Sequence, residues 1–114
     1  MRAERLIDSR YLDIGPVLKA IADPSRRQIL DLLAREDLPV GRIVDRFRIS
    51  RPAVIKHLRV LRSARLISVR RCGRERIQRL NARPLKDVVT WMSRFESHWE
   101  NSLQKLKRQV ESET

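Results

Sequence analysis

A single cysteine, three scattered glycines and no long apolar run set the first limits on this 114-residue chain. One cysteine, Cys72, cannot build an internal disulfide framework and fits a reducing compartment. Gly15, Gly41 and Gly73 lie too far apart to form a glycine-rich phosphate loop, and no Ser/His/Asp set or Cys/His pairing stands out. The first ten residues, MRAERLIDSR, hold no apolar stretch suited to a signal peptide, and no segment approaches a membrane span. Repeats and low-complexity tracts are missing too. These absences predict a single cytoplasmic domain over residues 1–114, with no catalytic residues and no membrane partner.

Acids are missing where bases are densest. The chain carries 26 Lys+Arg against 14 Asp+Glu, a formal net charge of +12. Between Arg42 and Arg83 there are 14 basic residues and two acids, Asp45 and Glu75, so this segment alone accounts for +12. The flanks hold the remaining 12 of each sign and are neutral. A localised basic block is the footprint of a polyphosphate partner, whereas charge serving solubility would be interspersed. A nuclease needs clustered carboxylates to hold metal ions, and two acids thirty positions apart do not supply them. Binders of single strands stack bases on aromatic rings, yet Phe47 is the only aromatic residue in the block. Double-stranded DNA is the expected partner.

What is present in that block is a pair of helical patterns at 39–62, PVGRIVDRFRISRPAVIKHLRVLR. Val40, Ile43, Val44 and Phe47 recur at helical spacing, and a break at Arg48-Ile49-Ser50 follows. Ser50 is a suitable N-cap, and Pro52 is tolerated in a first turn whose amides lack intrahelical partners. Val54, Leu58 and Leu61 then face inward, leaving Arg51, Ile55, Lys56, Arg59 and Arg62 outward. Two helices, a tight turn and a basic outer face predict a helix-turn-helix whose second helix enters the major groove. The first turns of such a helix go deepest, so Arg51, Ala53, Ile55 and Lys56 are expected at base edges. Arg59 and Arg62 are expected at phosphates, and His57 beside them at a phosphate or a neighbouring side chain.

The flanks complete a winged helix. Leu12, Ile14, Val17, Leu18 and Ile21 predict an early helix ending near Ala22, and Asp23-Pro24 a second start carrying Ile29, Leu30, Leu32 and Leu33 inward. Residues 66–80 predict a β-hairpin turning at Cys72-Gly73, where Gly73 supplies a positive φ. The opposite parity of Ile77 and Leu80 predicts an irregular or bulged second strand. Arg70, Arg71, Arg74, Arg76 and Arg79 make this hairpin a basic wing. Over 84–110, Leu85, Val88, Met92, Phe95, Trp99, Leu103, Leu106 and Val110 are separated by three or four residues throughout. That stripe predicts one long C-terminal dimerisation helix, with Trp91 off the stripe and against the body. The fold class expected is mainly α with a small β-hairpin.

Ala22-Asp23-Pro24-Ser25-Arg26-Arg27, Ser50-Arg51-Pro52-Ala53-Val54, and His57-Leu58 followed by Leu61 together resemble the ArsR/SmtB type of winged-helix repressor, across roughly residues 12–110. The resemblance implies a homodimer built from the first and last helices, with Leu12 and Val17 joining Leu85, Val88, Met92, Phe95, Trp99, Leu103 and Leu106 at the interface. It implies a repressor bound to an operator with inverted symmetry, residues 50–59 in the major groove and residues 70–76 at the flanking backbone or minor groove. Ile55 departs from the small polar residue common there, and an apolar side chain suits a thymine methyl.

Metal sensing, frequent in that family, is not expected. Its Cys-x-Cys box would fall near Val40-Gly41-Arg42, which holds no cysteine, and His98 is the only histidine in the last helix. No cofactor is expected. Two alternatives stand beside the repressor: a non-specific architectural DNA binder, and a redox-responsive repressor acting through Cys72. Cationic neighbours favour a reactive thiol there, but no second cysteine is present to resolve an oxidised one.

Overall fold

Two prolines mark where the main helices start. In the computed structural model, which describes residues 14–113, each follows a side chain that caps the helix. A short helix α1 (Gly15–Ile21) leads to α2 (Pro24–Arg35), where the Asp23 carboxylate accepts from the Arg26 amide at 3.1 Å. Strand β1 (Leu38–Pro39) and helix α3 (Val40–Val44) precede α4 (Arg51–Ser63), capped by the Ser50 hydroxyl, which accepts from the Ala53 amide at 3.3 Å. Strands β2 (Ile67–Cys72) and β3 (Glu75–Leu80) form the hairpin. Helix α5 (Arg83–Met92), a 3₁₀ turn (Ser93–Phe95) and helix α6 (Glu96–Glu113) end the chain. Leu12 lies outside the described residues.

The core forms where the apolar faces of α2, α3 and α4 meet the inner face of the sheet. Ile29, Ile43, Val54, Leu61 and Leu66 are its largest fully buried side chains. Val54, Leu58 and Leu61 point inward as their spacing predicts. On α1, Val17 and Ala20 take the inward positions and Leu18 is more than a third exposed.

The sheet is three-stranded in the order β1-β3-β2, and β1 has no counterpart in the sequence reading. Two residues carry too little periodicity to announce a strand. Pro39 pairs with Ile77 at the sheet edge, where a missing amide costs no ladder bond. The hairpin pairs regularly from Ile67↔Leu80 to Cys72↔Glu75, so the expected bulge does not form. Parity is kept by Gln78, which takes the inward position between Arg76 and Leu80 and is buried. Its amide donates to the Arg76 carbonyl at 3.3 Å, satisfying a polar group that would otherwise oppose burial. Ile77 therefore faces the other side. The turn is Gly73-Arg74, and Gly73 has φ +64° as expected.

Helix α4 ends in a Schellman motif. The Leu66 amide reaches the Leu61 carbonyl and the Arg65 amide the Arg62 carbonyl, both at 2.9 Å. Arg65 holds the left-handed position with φ +63°, which glycine adopts at lower cost. Arg65→Gly should raise unfolding free energy by about 0.5–1 kcal/mol, read as a higher urea midpoint at constant slope. A lower midpoint would show that the arginine side chain contributes more than its backbone costs.

The long C-terminal helix is present and is divided into α5 and α6 by the 3₁₀ turn at Ser93–Phe95. At this turn the Ser93 hydroxyl donates to the Thr90 carbonyl at 2.6 Å. Across the same joint Trp91 and Phe95 meet edge to face, 5.4 Å between ring centres. Trp91, Leu85 and Val88 pack against the body, so two of the stripe residues assigned to a dimer seam belong to the subunit's own core. Val17, assigned likewise, is buried as well. Beyond Met92 the stripe stays exposed on α6 at Trp99, Leu103, Leu106 and Val110.

Candidate nucleic-acid interface

The outward residues of α4 emerge side by side because its inward ones are fixed in the core. Arg51, Ile55, Lys56, Arg59 and Arg62 are exposed, and Ala53 is half-buried. Ser50 is held at the helix start by its capping bond. Between this face and the hairpin runs a groove of about 420 Å³, lined among others by Arg51, Ile55, Arg59, Arg62, Arg76 and Gln78. A second depression of about 500 Å³ adjoins it, sharing Arg51 and Arg76 and adding Arg42 and Arg74. Arg42 was no part of the sequence-predicted site. Only its place within the basic block could have signalled it.

The wing divides its charge between two faces. Strand pairing sets Arg71 opposite Arg76 on the side of Val69 and Gln78, which line the groove. Arg70 and Arg79 lie on the other side, with Arg74 in the turn between. Like charges directly opposed across a hairpin are destabilising. Cys72 is exposed at the end of β2, paired with Glu75.

His57 does not join this face. It turns from α4 toward the start of α2, where its Nδ1 lies 3.4 Å from an Arg26 Nη1 and 4.0 Å from an Asp23 oxygen. The cause is periodicity: His57 falls between the inward Val54 and Leu58 and the outward Lys56. The Arg26 amide bond holds the Asp23 carboxyl below its ordinary value of 3.8, opposed by some desolvation and aided by the nearby His57 and Arg26 charges. A lowered carboxyl stabilises the fold at neutral pH, and that contribution is lost as the pH falls through the carboxylate range.

Among the described residues no three His, Cys, Asp or Glu side chains converge as a metal would need, and no helix is long and apolar enough to cross a membrane.

Known proteins share both the sequence and the architecture. The sequence pattern of the bacterial regulatory protein, arsR family, matches residues 23–69, from the cap of α2 into the first strand of the wing. The transcriptional repressor SdpR of Bacillus subtilis is 42% identical over 87 residues, covering 76% of this chain and 97% of that protein. An ArsR-like transcriptional regulator from Rhodococcus superposes with a TM-score of 0.71 at 28% identity, over 89% of this chain and 95% of that one. A homodimeric winged helix-turn-helix DNA-binding domain from Mycobacterium bovis gives 0.62 at 26% identity, over 88% and 90%. With the motif, the wing and the near-complete span of a relative in agreement, the chain belongs to the ArsR family of bacterial regulatory proteins.

Proposed function

We propose that this chain is a cytoplasmic, homodimeric repressor that reads a double-stranded operator of inverted symmetry without a metal or other cofactor and without catalysis. The carrying observation is the groove in which Arg51, Ile55, Arg59 and Arg62 of α4 face Arg76 of the wing. Its width of exposed cations suits a polyphosphate backbone, and its apolar Ile55 suits a thymine methyl. Arg51, Ala53, Ile55 and Lys56 occupy the first turns and are assigned to the bases, with Ser50 at the DNA-facing start of the helix. Arg59 and Arg62 are assigned to phosphates, and Arg70, Arg71, Arg74 and Arg76 of the wing to the flanking backbone or minor groove.

Dimerisation is supported from two sides. The apolar residues of α6 stand exposed along most of the helix, and the Mycobacterium bovis relative is homodimeric. The seam assigned here comprises Met92, Phe95, Trp99, Leu103 and Leu106. Metal-independence rests on Val40-Gly41-Arg42 in place of a thiolate pair and on His98 without a second histidine on α6. All 114 residues are read as one functional unit.

Footprinting on the DNA upstream of the protein's own gene, with and without chelator, tests this reading. The expected result is a protected inverted repeat that chelator leaves unchanged. Protection spread evenly along the duplex would replace the repressor by an architectural binder. Protection that depends on chelator would restore a metal.

A further inference from the structure

Arg26 sits where three elements meet. Its Nε donates to the Ala20 carbonyl at 2.6 Å and its Nη2 to the Lys19 carbonyl at 3.1 Å, so one guanidinium occupies two carbonyls in the last turn of α1. Its remaining Nη1 lies 3.4 Å from His57 Nδ1, halfway along α4. A guanidinium only donates, so a hydrogen bond in this contact has His57 Nδ1 as its acceptor. Asp23 lies 4.0 Å from the same ring nitrogen and accepts from the backbone amide of Arg26. Arg27 independently covers the Ile21 and Ala22 carbonyls, so the last turn of α1 keeps bonded partners without Arg26.

We infer that Arg26 and His57 are positioning residues for operator reading, joining α1 to the middle of α4 and thereby fixing the angle at which α4 presents Arg51 and Ile55. The inference rests on the assignment of α4 as the reading helix. His57 is two residues from Ile55 and faces away from the groove; neither it nor Arg26 lines that groove. The consequence is selective. Base contacts need α4 placed closely, because a bidentate pair is lost by a small rotation, whereas phosphate attraction tolerates such a change. Loss of the tie therefore lowers discrimination between sequences and leaves bulk DNA affinity in place.

The test uses the full-length protein, a duplex that the wild type enriches from a random pool, and poly(dI-dC) as bulk DNA. Arg26→Gln should lower affinity for the enriched duplex by about tenfold while leaving poly(dI-dC) affinity and the salt slope unchanged. A phosphate contact by Arg26 would instead lower both affinities together and reduce the slope by about one, and that result overturns the inference. His57→Leu, which leaves the Arg26 bonds to α1 intact, serves if Arg26→Gln melts early. It should show the same selective loss, and His57→Asn, with an acceptor near the Nδ1 position, should restore most of it. The double variant Arg26→Gln/His57→Leu should lose no more than either single one; additive losses would mean that the two residues act separately. Equal binding of His57→Leu and wild type to the enriched duplex also overturns the inference. A wild type that enriches no sequence refutes the reading assigned to α4 and, with it, any role in positioning.

Discussion

A variant carrying Trp99→Ala and Leu106→Ala sediments as a monomer, and its operator affinity falls by on the order of 100-fold or more. The expectation follows from where α6 leaves its side chains. Trp99, Leu103 and Leu106 are 41%, 63% and 56% exposed, so the subunit's own core gives up little when they are cut back. A second copy would bury them. In a dimer the second half-site is bound at a high effective concentration, and avidity of that kind exceeds single-site affinity by about 10²–10⁴. Two basic faces should neutralise roughly 6–10 phosphates, which gives a steep fall of log affinity with log salt. The monomer should show about half that slope, although no basic residue has been touched. Sedimentation and a salt titration read the two effects separately. A double variant that remains dimeric and binds as before would place the dimer seam elsewhere.

The second large effect separates reading from holding. Arg51→Ala, at the first position of α4, should cost about 1–3 kcal/mol on the operator and relax the base preference there. Arg62→Ala, near the far end of the same helix, should weaken operator and random duplex in equal proportion and lower the salt slope. Both arginines line the same groove, so their difference lies in depth along the helix and not in exposure. Equal proportional losses by both variants would remove the distinction between bases and phosphates drawn along α4.

The parts of this architecture that the sequence announced are those with a strong local cause. Asp23 and Ser50 cap helices because each is a short acceptor just ahead of a first turn that contains a proline, and both bonds form as expected. Val54, Leu58 and Leu61 repeat at helical spacing and are buried together. Gly73 was expected at positive φ and has it. What escaped were features set by tertiary partners. The two residues of β1 become a strand only because β3 lies alongside. Gln78 looks like a surface residue in a list of letters and is buried because the hairpin keeps its register. The tail stripe keeps its steps of three and four across Ser93–Phe95, so the 3₁₀ turn there leaves no trace in apolar spacing. His57 was expected at a phosphate or a neighbouring side chain; the side chains it meets, Arg26 and Asp23, lie some thirty positions earlier, beyond the reach of local spacing.

The joint at Ser93–Phe95 gives the chain a mechanical property. Helix α5 is anchored to the body through Val88, whereas the 18 residues of α6 form a rod about 27 Å long beyond the turn. A rotation of roughly 10° at the joint swings the far end by about 5 Å, more than the roughly 3.4 Å rise of one base pair. In a dimer joined through α6, as proposed, the angle of this turn would set the distance separating the two basic grooves. Half-site spacing would then depend on a turn that lies outside the groove itself.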